Sequence, residues 1–202
     1  MIAIIDYGMG NLRSVQKALE SVGATATITQ KVSDLKRADK IVLPGVGAMQ
    51  PAMKRLSALK LIETIKKAIQ EGKPFLGICL GLQLLFETSQ EGGAVKGLGI
   101  IKGKVKKFKS SLKVPHMGWN QLNVVQTKCP LLNNIKKDTN VYFCHSYFVA
   151  PKEKKIIAAT TDYGIEFASA ICRDNVFGVQ FHPEKSQLLG LKILENFVRI
   201  KT

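Results

Sequence analysis

The sequence predicts an α/β protein with a doubly wound, mostly parallel β-sheet, helices on both faces and antiparallel additions in its second half. Over the first 90 residues, short apolar segments alternate with segments of helical periodicity. That order is typical of parallel strands joined by right-handed crossovers. From about residue 99 the chain changes to short stretches with strand-like alternation. We expect the 202 residues to form a single domain, 1–202, without a linker or internal repeat.

The first half contains four predicted strands, at residues 2–5, 24–28, 40–43 and 74–78. Helices are predicted at residues 12–22, 48–71 and 79–89, and Asn11 is placed to cap the first of them. Ligands of such sheets bind at the carboxyl ends of the strands. The segments that follow three of these strands are therefore expected to meet on one rim: residues 6–8, 44–47 and 79.

In the second half, strand-forming segments are expected within residues 141–149 and 171–181, and a final helix at residues 188–200. The helix carries Leu189, Ile193, Leu194 and Phe197 at spacings that place them on one face. Such a stripe predicts that the helix packs against the sheet.

The composition, 46% hydrophobic and 22% charged, is that of a folded globular chain and excludes a disordered one. The longest apolar run, residues 75–82, is too short to cross a bilayer, and residues 1–5 lack the basic lead of a signal peptide. We therefore expect a cytoplasmic protein without a membrane partner. The four cysteines form neither a CxxC pair nor a zinc-type spacing, which favours a reducing compartment and no metal. Three of them, Cys129, Cys144 and Cys172, are interpreted as small core residues.

Thirty basic and fifteen acidic residues give a net charge of +15. The basic residues are 25 lysines and 5 arginines, whereas nucleic-acid binders favour arginine, and no nucleic-acid motif is present. We therefore predict no nucleic-acid partner. Six lysines fall between Lys102 and Lys113. They indicate either a solvated loop or edge strand, or a docking face for an acidic partner.

The segment Gly77-Ile78-Cys79-Leu80-Gly81, between a predicted strand and a predicted helix, has the form of a nucleophile elbow. Its glycines permit a tight turn that holds Cys79 at the mouth of the sheet. The start of the following helix would stabilise a thiolate and supply a backbone N–H for an oxyanion. The same turn also suits a buried structural cysteine, so the remaining residues have to decide between the two.

A nucleophilic cysteine needs a base, and the chain has only three histidines. One of them lies in His182-Pro183-Glu184, where an extended backbone would put His182 and Glu184 on one face and Pro183 is expected to prevent a helix. We predict a triad in which Cys79 attacks, His182 transfers the proton and Glu184 orients the imidazole. The glycines of Pro44-Gly45-Val46-Gly47 favour a second oxyanion donor there.

These motifs resemble those of the class I, or triad, glutamine amidotransferases: residues 44–47, 77–83 and 182–184. Residues 6–12, 114–120, 145–147 and 183–186 are similar, more narrowly, to the glutaminase subunits of imidazole glycerol phosphate synthases. The motifs run from end to end of the chain in the order of that family.

The resemblance implies that Cys79 forms a γ-glutamyl thioester and releases ammonia, without a metal or other cofactor. It implies that the N–H groups of Gly47 and Leu80 hold the oxyanion. The residues that it assigns to glutamine are Gln83, Glu91, Ser146 and Tyr147. In this assignment His145 supports the glutamine pocket and is not a base.

The resemblance further implies a heterodimer with a (β/α)₈-barrel cyclase subunit. That subunit would use the ammonia to make imidazole glycerol phosphate and aminoimidazole carboxamide ribotide. Because ammonia leaves from the rim of the active site, the partner is expected to dock there. The predicted interface residues are Asn11, Met117, Trp119, Asn120 and Lys185, and His116 belongs to the same segment as three of them.

Three alternatives remain open at this point. A paralogous subunit with the same chemistry would supply ammonia for amidino-sugar synthesis in surface polysaccharide. Peptidase- and chaperone-like proteins share the sheet and the cysteine elbow, but they often place a histidine directly after the cysteine, where this chain has Leu80. A non-catalytic protein that binds through its basic surface would not need the three triad residues.

Overall fold

The computed structural model of the chain describes residues 1–108 and 113–201. The strands of this part are β1 (Ile2–Ile5), β2 (Ala26–Thr29), β3 (Lys40–Gly45), β4 (Phe75–Cys79), β5 (Phe86–Ser89), β6 (Val95–Lys96), β7 (Ile101–Lys107), β8 (His116–Val124), β9 (Thr139–His145), β10 (Tyr147–Pro151), β11 (Ile157–Asp162), β12 (Glu166–Arg173) and β13 (Val176–Val179). The α-helices are α1 (Leu12–Ser21), α2 (Val32–Arg37), α3 (Met49–Ala58), α4 (Leu61–Gln70), α5 (Leu80–Leu84) and α6 (Gln187–Arg199).

All of these strands belong to one sheet. Its first part, in the order β2-β1-β3-β4-β13, is entirely parallel. Beyond β13 the order continues β12-β10-β7 with antiparallel pairing, and β5 and β6 complete that edge. Strands β11, β8 and β9 branch off β12. The predicted doubly wound sheet with antiparallel additions is confirmed.

Helices cover both faces of the sheet. Along β1, Ile2 and Ile4 point into the core formed with α1 and α6, whereas Ala3 and Ile5 point into the core formed with α2, α3, α4 and α5. This alternation is why each parallel strand is apolar throughout: successive side chains enter different cores. The stripe on α6 is confirmed for Ile193, Leu194 and Phe197, which are fully buried, but Leu189 is exposed.

Several predicted boundaries were wrong. The helix predicted over residues 48–71 is two helices, because the chain takes a left-handed turn at Lys60 (φ 56°). The helix predicted over residues 79–89 ends at Leu84, and its second half is the strand β5. Pairing with β7 and β6 determines that outcome, since the periodicity of so short a segment fits both structures. Helix α2 was not predicted, because it buries only Leu35.

The segments that follow β1, β3 and β4 lie side by side, as predicted. A methyl group placed on Gly10 would come within 3.2 Å of Cα of Gly45. One placed on Gly45 would lie 1.9 Å from the hydroxyl of Tyr7 and 3.2 Å from Cβ of Leu80. The three strand ends are therefore packed against one another so closely that only glycine fits between them.

The lysine-rich segment lies mainly on β7. This strand pairs with β10 on one side and β5 on the other, so the expectation of an edge strand was wrong. Lys102, Lys104, Lys106 and Lys107 are exposed, while Ile101 and Val105 are buried. The predicted cluster extends to residue 113, and residues 109–112 lie outside the described part of the chain.

Candidate active site

Cys79 is the last residue of β4 and directly precedes α5. Its backbone has φ 54° and ψ −106°, a combination that is strained for a residue with a side chain and typical of functional turns. A methyl group on Gly77 would meet the backbone of Gly81 at 2.7 Å, and one on Gly81 would meet the carbonyl oxygen of Leu43 at 1.7 Å. Both glycines are therefore needed for the close packing that holds the elbow.

His182 and Glu184 form a buried pair. Nδ1 of His182 lies 2.8 Å from Oε1 of Glu184, and the two side chains are 5% and 2% exposed. We had expected an extended segment here, but the residues Pro183–Lys185 form a 3₁₀ turn. Proline is well accommodated in the first turn of a helix, where its missing N–H is not required, so Pro183 starts this turn instead of preventing it.

The turn is fixed from two sides. The backbone N–H of His182 donates to the carbonyl of Tyr142 at 2.9 Å. The hydroxyl of Ser186 donates to the carbonyl of His182 at 2.6 Å and accepts from the N–H of Tyr142 at 3.0 Å. Strand β9 thus holds the turn that carries the imidazole.

The electrostatics of His182 favour its charged form. Burial alone would lower the pKa of this imidazole, but hydrogen bonding to Cys79 and Glu184, together with their charges, outweighs burial and raises the pKa to about 10. The carboxylate of Glu184 on Nδ1 leaves Nε2 as the nitrogen available for chemistry. The arrangement is that of a cysteine–imidazolium pair oriented by a carboxylate.

A cavity of about 400 Å³ opens beside the elbow. It is lined by every residue that was predicted to hold the oxyanion or the substrate, together with the nucleophile: Gly47, Cys79, Leu80, Gln83, Glu91, Ser146 and Tyr147. Glu91 also accepts a hydrogen bond at 2.7 Å from the backbone N–H of Met49, at the start of α3. The cavity has the size and the mixed polar lining of a small-molecule site.

The sequence did not identify all of the residues at this cavity. Cys144, predicted as a core residue, is half-buried and lines it, and its carbonyl oxygen lies 3.8 Å from Sγ of Cys79. Cys172 is also only half-buried, whereas Cys129 is a core residue as predicted. Gln180 is fully buried and lies 3.6 Å from the nucleophilic sulfur. Its place two residues before His182 at a strand end was the only signal in the sequence.

The other two histidines form a directed hydrogen-bond chain. Nδ1 of His145 donates to the carbonyl of Tyr147 at 2.8 Å, so Nε2 of His145 accepts from Nδ1 of His116 at 3.0 Å. Nε2 of His116 in turn accepts from the side-chain amide of Asn120 at 3.2 Å. Burial lowers the pKa of His116 to about 4 and that of His145 to about 3.

Both of these imidazoles are therefore neutral near pH 7, and neither has a free nitrogen with which to act as a base. His145 lies at the cavity and supports the backbone of Tyr147. His116 is buried, so it cannot contact a partner directly, although it belongs to the predicted interface segment.

The predicted interface residues are placed as follows. Trp119 packs edge-to-face on Tyr142 with ring centroids 6.1 Å apart, and Nζ of Lys185 lies 5.8 Å from the centroid of the same ring. Trp119 and Met117 are 49% and 61% exposed. Asn11 caps α1 by accepting from the N–H of Ser14, and α1 packs beside the Pro183–Lys185 turn. The shared ring, Tyr142, was not predicted.

Within the described ranges, no helix is long and apolar enough to span a membrane. In the same part of the chain, no three histidine, cysteine or acidic side chains cluster as metal ligands do.

Comparison with known proteins agrees with this geometry. The family model for glutamine amidotransferase class-I matches residues 3–200. Imidazole glycerol phosphate synthase subunit HisH of Syntrophotalea carbinolica is 52% identical over 98% of both chains. The HisH subunit of Methanocaldococcus jannaschii is 54% identical and covers 99% of this chain and 100% of its own.

The solved structure of PurLQS from Thermotoga maritima superimposes with a TM-score of 0.77 at 21% identity, over 98% of this chain and 96% of that one. At that identity it bears on the fold alone. The elbow, the buried histidine–carboxylate pair and the matching family model define a class I glutamine amidotransferase. The chain belongs to that family and, within it, to the HisH subunits of imidazole glycerol phosphate synthase.

Proposed function

We propose that this chain is the glutaminase subunit of an imidazole glycerol phosphate synthase and that it hydrolyses glutamine to glutamate and ammonia. The observation that carries the proposal is the buried His182–Glu184 pair, whose imidazole pKa Cys79 raises, together with a strained Cys79 at a cavity lined by the predicted glutamine residues. The relatives at about 50% identity, which are subunits of that synthase, support the same assignment.

In the proposed reaction, Sγ of Cys79 attacks the side-chain amide carbon of glutamine. The N–H groups of Leu80 and Gly47 hold the oxyanion that forms. His182 gives its proton to the leaving nitrogen, the C–N bond breaks, and ammonia departs from a thioester. His182 then takes a proton from water, which attacks the thioester carbon, and the C–S bond breaks to release glutamate.

The substrate is placed by the polar groups of the cavity. Glu91, whose second task is to cap α3, supplies the negative charge that the α-ammonium group of glutamine needs. Ser146, Tyr147 and Gln83 supply hydrogen bonds to the rest of the amino-acid head. These are the polar contacts that distinguish glutamine from a simple amide.

The partner is proposed to be a (β/α)₈-barrel cyclase subunit that receives ammonia at the rim formed by the ends of β1, β3 and β4. The reaction is proposed to be cytoplasmic, which four free cysteines support. The test measures glutamate release from glutamine by the chain alone, with the cyclase, and with the cyclase and its phosphoribulosyl formimino substrate.

We expect slow release by the chain alone and a large increase with partner and nucleotide. Cys79→Ala should abolish release while the complex still works with ammonium salt, because the cyclase carries out that step. Equal release in all three mixtures would contradict the proposal. Stimulation only by a cyclase-like partner and acceptor of amidino-sugar synthesis would assign the chain to the paralogous pathway instead.

A further inference from the structure

A buried amide lies against the nucleophile. Nε2 of Gln180 is 3.6 Å from Sγ of Cys79, and Gln180 has no exposed surface. We propose that Gln180 donates a hydrogen bond to this sulfur and stabilises it as a thiolate, which makes Gln180 a further catalytic residue. The inference deepens the proposed function and rests on it, since it concerns the nucleophile of the same reaction.

The direction of this hydrogen bond follows from the neighbouring groups. The carbonyl oxygen of Tyr147 can only accept, so the atom of Gln83 that lies 3.0 Å from it must be the amide nitrogen. The same nitrogen lies 3.1 Å from Gln180, and the atom of Gln180 that it meets must therefore be the oxygen. The remaining end of the Gln180 side chain is then the NH₂ group, and it faces the sulfur.

Gln83 is thus a positioning residue for Gln180. A glutamine amide is free to turn over by 180°, and in the reversed orientation the oxygen of Gln180 would face the sulfur and repel a thiolate. The hydrogen bond from Gln83 excludes that orientation, because it would bring two NH₂ groups together. The backbone of Tyr147 therefore sets the direction of a chain of amides that ends at the nucleophile.

The hydrogen-bond donor of Gln180 matters because another neighbour of the sulfur does not favour the thiolate. The carbonyl oxygen of Cys144, 3.8 Å away, accepts from a thiol and offers nothing to a thiolate. Hydrogen bonds to the charged form favour that form, and their effect is larger where water is excluded. Gln180 and the His182 imidazolium are the groups of the described site that supply donors to this sulfur.

The experiment follows alkylation of Cys79 by iodoacetamide as a function of pH, with the full-length chain and peptide-level mass spectrometry to separate the four cysteines. Gln180→Met keeps the length of the side chain and removes the donor. We expect the pH of half-maximal alkylation to rise by about one unit or more, since a hydrogen bond to a charged group is worth about tenfold to 100-fold.

Ser169→Ala is the matched control. Its backbone carbonyl accepts from the N–H of Gln180 at 2.9 Å, and its fully buried side chain gives no hydrogen bond to Cys79. It should perturb the same layer of packing without moving the pH midpoint. A purely structural role for Gln180 would lower the melting temperature of Gln180→Met and leave its midpoint unchanged, and that result would overturn the proposal.

If Gln180→Met does not fold, Gln83→Met tests the same chain of amides. Loss of the Gln83 donor should raise the midpoint by a smaller amount, and an unchanged midpoint would again contradict the proposal. Because alkylation needs neither glutamine nor a partner, its outcome is independent of the proposed pathway. A wild-type chain that releases no glutamate even with the cyclase and its nucleotide substrate would refute the proposed function and leave the role of Gln180 toward the sulfur as measured.

Discussion

Nδ1 of His182 lies 2.8 Å from Oε1 of Glu184 although only one residue, a proline, separates them in the chain. The 3₁₀ turn that Pro183 begins brings the two side chains together in a buried environment. The carboxylate fixes the tautomer of the imidazole, and both Cys79 and the carboxylate favour its charged form. Each member of the triad therefore depends on the other two.

This dependence predicts a graded series of activities. His182→Ala should reduce glutaminase kcat/KM nearly as much as Cys79→Ala, because triad members act as a unit. Glu184→Gln should be milder by about 100-fold than His182→Ala, since Glu184 orients the base and does not carry the proton, as for the acidic residue of other triads. The measurement is steady-state glutamate release by the complex. The base would be misassigned if His145→Ala or His116→Ala abolished thioester formation while His182→Ala retained it.

The charge state of the three histidines gives a second prediction. At pH 7, ¹⁵N NMR should show His182 as imidazolium and His116 and His145 as neutral, since their pKa values are shifted to about 10, 4 and 3. In Cys79→Ala the pKa of His182 should fall, because burial remains while one of the favourable partners is lost. A neutral His182 in the wild-type chain at pH 7 would contradict this assignment.

The raised pKa of His182 also makes the free energy of unfolding depend on pH in a defined direction. The pKa of His182 is above its ordinary value of 6.5, so the folded state binds the proton more tightly than the unfolded state. The contribution to the free energy of unfolding is complete below about pH 6.5 and is lost as the pH rises through about 10. Replacement of His182 by Ala should remove this part of the alkaline pH dependence in denaturant titrations.

The elbow gives a prediction about stability alone. Gly81→Ala would place a methyl group 1.7 Å from the carbonyl oxygen of Leu43, on the neighbouring parallel strand. The backbone must move to relieve that contact. We expect the free energy of unfolding to fall by about 3 kcal/mol, which lowers Tm by about 6–12 °C in a chain of this size.

Gly23→Ala is the control for that substitution. Gly23 has a positive φ of 87° but nothing within 4 Å of an added methyl group. Gly23→Ala should therefore lower the free energy of unfolding only by the backbone strain, about 1 kcal/mol. Urea titrations of the two variants would compare them. Equal losses would show that the close approach of the elbow to Leu43 is not what requires glycine at position 81.

The parts of the fold that were predictable are those in which local pattern and tertiary structure agree. The buried parallel strands β1 and β4 are uniformly apolar, and α1 has both a stripe and the Asn11 cap, so the sequence alone defines them. The segment at Phe86–Ser89 was misassigned, because its partners in the sheet, β6 and β7, come later in the chain and no local pattern shows them. Long-range pairing decides such short segments.

The candidate site divides in the same way. The cysteine elbow and the His182-Pro183-Glu184 segment carry their chemistry in short motifs, and their residues were found without coordinates. Gln180 lies directly after β13 and Cys144 lies in β9, and both reach the nucleophile only because these segments pass beside the elbow. Apart from the place of Gln180 two residues before His182, neither residue carries a local mark of its role. The orientation of the two amide groups in the Gln83–Gln180 pair can be assigned only from the position of the Tyr147 carbonyl.

The interface predicted beside the active site gives the last prediction. Trp119 and Lys185 contact the same ring, Tyr142, on strand β9, and the backbone of Tyr142 holds the turn that carries His182. A partner that covers this exposed tryptophan would therefore press on a group connected to the catalytic base. Partly exposed tryptophans that become buried are frequent hot spots, worth about 2 kcal/mol or more, whereas exposed lysines contribute about 0.2–1 kcal/mol each and mainly affect association rates.

We therefore expect Trp119→Ala to weaken binding of the cyclase by about 30-fold, which corresponds to that 2 kcal/mol. Trp119→Ala and Lys185→Ala should both lower the fraction of released ammonia that appears in cyclase product. Lys106→Ala with Lys107→Ala, two exposed lysines at the end of β7, is the matched control and should change only the salt dependence of association. The fraction is measured at two salt concentrations. If the β7 variant uncouples the complex while the Trp119 and Lys185 variants leave it intact, the partner docks on the lysine face and not at the rim of the active site.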